Sequence, residues 1–88
     1  MIRRRVIVHG RVQGVFFRDT LRRRADQLGV AGSVANRPDG TVEAIFEGPE
    51  EDVGVLVEFC GRGPERADVE RTEVLEEDPQ GEQGFRVL

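Results

Sequence analysis

Within 88 residues, stretches of strand and helix character follow one another in the order β-α-β-β-α-β. That order constrains the fold more than any other feature of the chain. Val6, Ile7 and Val8 are β-branched and continuous, so residues 3–9 read as a strand buried on both faces. Residues 10–17 read as a loop. Leu21, Ala25 and Leu28 recur at i, i+4, i+7 and Phe17 extends the stripe, which predicts a helix over 19–28 stopped by Gly29. Residues 30–37 predict a second strand with Gly32 as a weak point or bulge. Pro38-Asp39-Gly40 marks a turn. Val42, Ala44 and Phe46 then alternate with Thr41, Glu43 and Glu47, so residues 34–46 predict a hairpin. Acids at 50–52 open a second helix whose stripe is Val53, Leu56, Val57 and Cys60, ended by Gly61-Arg62-Gly63-Pro64. Residues 67–75 are strand-like and 76–83 a polar loop. A short last strand over 84–88 would turn Phe85 and Val87 inward.

Two split βαβ units in a chain of this length predict an α+β, ferredoxin-like sandwich: a four-stranded antiparallel sheet with two helices on one face. Residues 1–88 are expected to form a single domain, since no linker or repeat interrupts them. Many activities share this fold, so function has to come from particular residues.

Composition removes several classes. A lone cysteine, Cys60, excludes an internal disulfide, and a lone histidine, His9, excludes a His-His metal pair. The acids lack metal-ligand spacing, and no cofactor or metal is expected. No apolar run approaches the roughly 20 residues of a membrane span, and Val6-Ile7-Val8 is too short for a signal peptide. The expected compartment is the cytoplasm. Residues 1–44 carry nine arginines against four acids, and residues 45–88 carry four against thirteen. A basic half is consistent with attraction of an anionic ligand, and equally with charges that folding interleaves.

The stretch from His9 to Arg18 bears the chemistry. Gly14 permits backbone angles that curl the chain and turn successive N–H groups inward. Val15, Phe16 and Phe17 lead into a helix whose first N–H groups have no intrahelical acceptor. Such a turn can cradle an anion, although glycine spacing alone fits a plain strand-to-helix connection as well or better. Arg18 follows two phenylalanines, so its stem is expected to pack while its planar guanidinium meets two phosphate oxygens. Asn36, at the end of the second strand, either caps a turn or holds a water with an amide that donates and accepts. Cys60 lies on an apolar stripe and reads as a core thiol. His9 reads as a strand-end structural residue near the loop.

The pattern Gly10-x-Val12-Gln13-Gly14-Val15-x-Phe17-Arg18, followed by Ala25, Gly29, Gly32, Val34, Asn36, Asp39-Gly40 and Val42-Glu43, resembles the acylphosphatases. Gly63-Pro64 and Phe85 extend the resemblance along the chain. It departs at Ser33, where an aromatic is usual, at Ala35, where arginine is usual, and at Leu88, where tyrosine is common. The resemblance implies hydrolysis of a carboxyl-phosphate anhydride. The backbone of Gln13, Gly14, Val15, Phe16, Phe17 and Arg18 would cradle the phosphate, the Arg18 side chain would ligate it, and Asn36 would orient water.

Acyl phosphates have a good carboxylate leaving group, so positioning and charge stabilisation can suffice without a protein base. The expected partner is a small-molecule acyl phosphate, with no nucleic acid or membrane, and the expected state is a monomer. One alternative is a module that binds phosphate without turnover, or a domain cut from a larger carbamoyl-phosphate-processing protein. Retention of both Arg18 and Asn36 favours the enzyme. RNA binding on the sheet is disfavoured by the absence of Trp and Tyr and by a net charge of −4.

Overall fold

A computed structural model describes residues 1–88 and gives the element order β1 (Ile2–Arg11), α1 (Phe17–Leu28), β2 (Ala31–Asn36), β3 (Val42–Gly48), α2 (Glu50–Arg62), β4 (Asp68–Glu77) and β5 (Phe85–Val87). The ferredoxin-like order is as expected, but the sheet has five strands, in the order β4-β1-β3-β2-β5. The first four pair antiparallel. The fifth, β5, adds to the outer edge of β2 in parallel, with Gly32 opposite Phe85 and Val34 opposite Val87. A parallel neighbour must arrive from the far end of the sheet. Residues 78–84 make that journey, crossing from the β4 edge to the β2 edge.

Strand alternation sorts the side chains. Val6, Val8, Val34, Val42, Ala44 and Phe46 face the helices and are fully buried with Leu21, Ala25, Val53, Leu56 and Cys60. Phe17 and Phe59 tilt against each other at 6.1 Å between the two helices, and the Arg24 guanidinium covers the Phe59 ring at 4.2 Å. Helix α1 ends as expected at Gly29, whose φ of 70° lets its N–H reach back to the Ala25 and Asp26 carbonyls. Gly32 does not form a bulge. It pairs in regular register with Phe46, and a Cβ there would lie 1.8 Å from the Ile45 carbonyl oxygen. The irregularity sits instead in the β1–β4 pairing, between His9 and Gly10.

The opposite sheet face carries charge. Arg3, one of the nine arginines of residues 1–44, and Glu47, expected on a polar strand face, are both only 3% exposed. Arg3 Nη1 donates to Glu47 at 3.1 Å and Arg3 Nε to Glu77 at 2.9 Å. Glu47 also accepts the backbone N–H groups of Gln80, Gly81 and Glu82 at 2.8, 2.8 and 3.0 Å. Residues 78–84 thus strap across this face, and Glu47 is the clasp. The Gln80 amide is the main influence that holds the Glu47 carboxyl down at about 2. The Arg3 and other strap hydrogen bonds reinforce it against the opposing effect of burial. For Arg3, burial is the largest single influence and opposes the charge; the hydrogen bonds it donates to Glu77, Glu47 and Glu82 together outweigh it.

Candidate functional site

Between the end of β1 and the start of α1, the chain alternates its handedness. Gly14 has φ 73° and Phe16 has φ 62° with ψ 22°, both left-handed, while Val15 between them does not. Glycine takes this conformation freely, and a Cβ at position 14 would meet open space. For phenylalanine it is strained, at a cost on the order of 1–3 kcal/mol. Alternating left- and right-handed residues turn successive N–H groups to one side and form an anion-binding concavity. Consistent with this, no amide from Gln13 to Asp19 donates to an acceptor within the protein. The next amide along the chain, that of Thr20, donates to the Phe16 carbonyl at 3.0 Å.

Beside this loop lies a cleft of about 450 Å³ lined by Val12, Gly14, Phe16, Phe17, Arg18, Asp19, Asn36 and Val87. The structure therefore brings the expected Gly14, Phe16, Phe17, Arg18 and Asn36 to one site. Val15, which is buried, and Gln13, whose side chain is engaged elsewhere, do not line it. Gln13 Nε2 donates to the carbonyl oxygens of Arg37 at 2.8 Å and Thr41 at 2.9 Å. This ties the loop to the turn that follows Asn36. That turn is locked from within: Asp39 Oδ1 accepts both the Thr41 N–H at 3.0 Å and its hydroxyl at 2.6 Å, which holds the Asp39 carboxyl below its usual range.

Arg18 makes no ion pair with any Asp or Glu side chain. Its Nη1 donates only to the main-chain oxygen of Leu88, at 3.3 Å. Asp19 lines the same cleft but pairs outward, with Arg23 at 3.3 Å and Arg22 at 3.6 Å. The contrast with Arg3 and Arg5, each saturated by acids, is direct. A guanidinium left free beside unpaired amides is arranged for an anion.

Other expected residues lie elsewhere. His9 faces the opposite side of the sheet, where Nε2 meets Glu73 Oε2 at 2.5 Å, and it does not line the cleft. Cys60 is fully buried, and burial pushes its thiol up to about 12, so it is no nucleophile. No three His, Cys, Asp or Glu side chains gather to hold a metal. Ser33 and Ala35 sit on the sheet face away from Val34 and Asn36, so the departures at these positions do not touch the cleft.

One expectation needs correction. Val87 does not join the core with Phe85; it is 41% exposed and lines the cleft. It shares the face of Phe85, but it is opposite Val34 on the outermost strand, two residues short of Asn36, where the sheet opens into the site. Alternation could give its face, but only the parallel pairing of β5 gives its place.

A family model described as acylphosphatase matches residues 4–87. An acylphosphatase of Haloarcula marismortui is 56% identical over 85 residues, covering 97% of this chain and 93% of that one. An acylphosphatase of Rubrobacter xylanophilus is 57% identical over 84 residues, covering 94% and 76%. The crystal structure of acylphosphatase from Bacillus subtilis superposes with a TM-score of 0.94 at 39% identity, covering 100% of this chain and 99% of that one.

Proposed function

Because this chain belongs to the acylphosphatase family of hydrolases, we propose that residues 1–88 act as one domain whose cleft between β1, α1 and β2 hydrolyses acyl phosphates without a metal. The phosphate occupies the concavity formed by the amides of Gln13, Gly14, Val15, Phe16, Phe17 and Arg18, and the Arg18 guanidinium holds two of its oxygens. The Asn36 side chain orients a water opposite the leaving carboxylate. The observation that carries this reading is the run of amides from 13 to 19 with no acceptor, beside an arginine with no Asp or Glu partner.

The chemistry follows from that arrangement. Water attacks phosphorus in line as the bond to the acyl oxygen breaks, and charge redistributes over the phosphoryl oxygens. Fixed N–H donors and a fixed cation stabilise that charge without reorganising. The departing group is a carboxylate, so no general acid is required. The proton of the attacking water passes to the phosphate itself.

Other features support the remaining assignments. The sheet face that RNA-binding relatives of this fold use is occupied by ion pairs and covered by residues 78–84, so we assign no nucleic-acid partner. No helix is long and apolar enough to cross a membrane. We assign the chain to the cytoplasm as a monomer, with a buried free thiol suited to a reducing compartment.

The test is phosphate release from benzoyl phosphate with EDTA present. Activity should be indifferent to EDTA, and Arg18→Ala should lower kcat/KM about a hundredfold or more. Wild-type protein that binds phosphate but releases none from the substrate would overturn the reading in favour of a binding module.

A further inference from the structure

The cleft is larger than its proposed anion. At about 450 Å³ it falls within the range of small-molecule pockets, more room than a phosphate of five heavy atoms requires. The acyl group is covalently attached to that phosphate and must lie in what remains. Of the apolar residues there, Val12 and Phe17 are core residues, 1% and 2% exposed. The exposed ones are Phe16, at 66%, and Val87, at 41%.

Phe16 is the sharper clue. Its backbone is left-handed, a conformation that disfavours a bulky side chain, yet its ring is left in solvent and adds nothing to the core. Backbone geometry alone would favour glycine or asparagine at this position. The ring is therefore unaccounted for by folding. Val87, on β5, lines the same cleft.

We propose that the ring of Phe16 and the side chain of Val87 form an apolar platform for the acyl group, so that the site selects acyl phosphates with aromatic or branched apolar acyl groups over small ones. This rests on the acyl phosphate reading and adds the substrate class. Burying an apolar acyl group between them removes apolar surface of both partners from water. An acetyl or carbamoyl group is too small to cover the platform and gains little from it. The discrimination acts on binding of the acyl group and leaves the phosphate contacts alone.

The experiment compares kcat/KM for benzoyl phosphate and acetyl phosphate in the same preparations. Benzoate is the better leaving group, so the wild-type ratio serves as the reference and its change in the variants is the readout. Phe16→Asn keeps a residue that tolerates the left-handed backbone and should cut the benzoyl-to-acetyl ratio roughly tenfold, through KM for the benzoyl substrate. Val87→Ala should cut the ratio severalfold while acetyl phosphate turnover persists. The ratio is internal, so a variant with a damaged cradle or partial unfolding loses both rates and leaves it unchanged. An unchanged ratio in both variants would overturn the platform while leaving the acyl phosphate reading intact. Failure of wild-type protein to hydrolyse either substrate would overturn both.

Discussion

The side-chain amide of Gln13 donates a 2.9 Å hydrogen bond to the carbonyl oxygen of Thr41, across 28 residues of sequence. With the 2.8 Å bond to Arg37, it spans from the loop that presents unpaired amides to the turn that follows Asn36. The proposed phosphate ligands and the proposed water-orienting residue are thus fixed to each other by one neutral side chain. Gln13→Ala should cost about 1–2 kcal/mol of stability, the worth of two neutral hydrogen bonds. Its effect on kcat should be larger, about tenfold, because a small displacement of Asn36 relative to phosphate spoils alignment. Denaturant midpoints and steady-state rates measured on the same variant check both.

The strap over the sheet gives an acid-sensitive contribution to stability. The Glu47 carboxyl is held at about 2 in the folded protein against an ordinary 4.5. A depressed carboxylate stabilises the fold above its unfolded value and ceases to as pH falls through the folded one. Stability should therefore decline between about pH 4.5 and 2. Glu77, held down by Arg5 and Arg3, adds in the same direction. In Glu47→Gln the decline should be shallower and the midpoint at pH 7 lower, as thermal unfolding across that range would record.

Much of the fold was legible because periodicity and punctuation agree along the chain. Leu21, Ala25 and Leu28 mark one helix, Val53, Leu56 and Cys60 the other, and Gly29 and Gly63 stop them where expected. The candidate site was legible in part, since Gly14, Arg18 and Asn36 converge on one cleft. The strap was not. Arg3 and Glu47 look like ordinary surface charges, because their burial is imposed by residues 78–84, a polar segment whose path over the sheet leaves no periodic trace. The last strand was legible, but its place in the sheet was hidden for the same reason. Its three residues pair in parallel only after that crossing, and Val87 consequently lines the site instead of the core.

Two glycines separate fold from site. Gly32→Ala would force a Cβ to 1.8 Å from the Ile45 carbonyl oxygen in the middle of the sheet, and the variant should not accumulate as folded protein. Gly14→Ala meets only open space, so its cost is the left-handed backbone, about 1 kcal/mol. It should fold, with circular dichroism like the wild type, and show weakened inhibition by inorganic phosphate as its amide turns out of line.

No general acid or base is assigned in the cleft, so kcat should be flat from about pH 6 to 8. His9 bonds Glu73 on the far face of the sheet, and His9→Gln should keep kcat within about twofold. A bell-shaped kcat profile that this substitution abolishes would bring the histidine into the chemistry.

The division of labour in the cleft is tested most directly by Asn36→Ala, with kcat for benzoyl phosphate and the inhibition constant of inorganic phosphate measured on one preparation. The asparagine is assigned to water and the amides and Arg18 to phosphate. Hence kcat should fall about a hundredfold or more while the phosphate inhibition constant stays within about twofold. Weakened phosphate inhibition with kcat preserved would contradict the account, because it would make Asn36 a phosphate ligand and leave the attacking water without a guide.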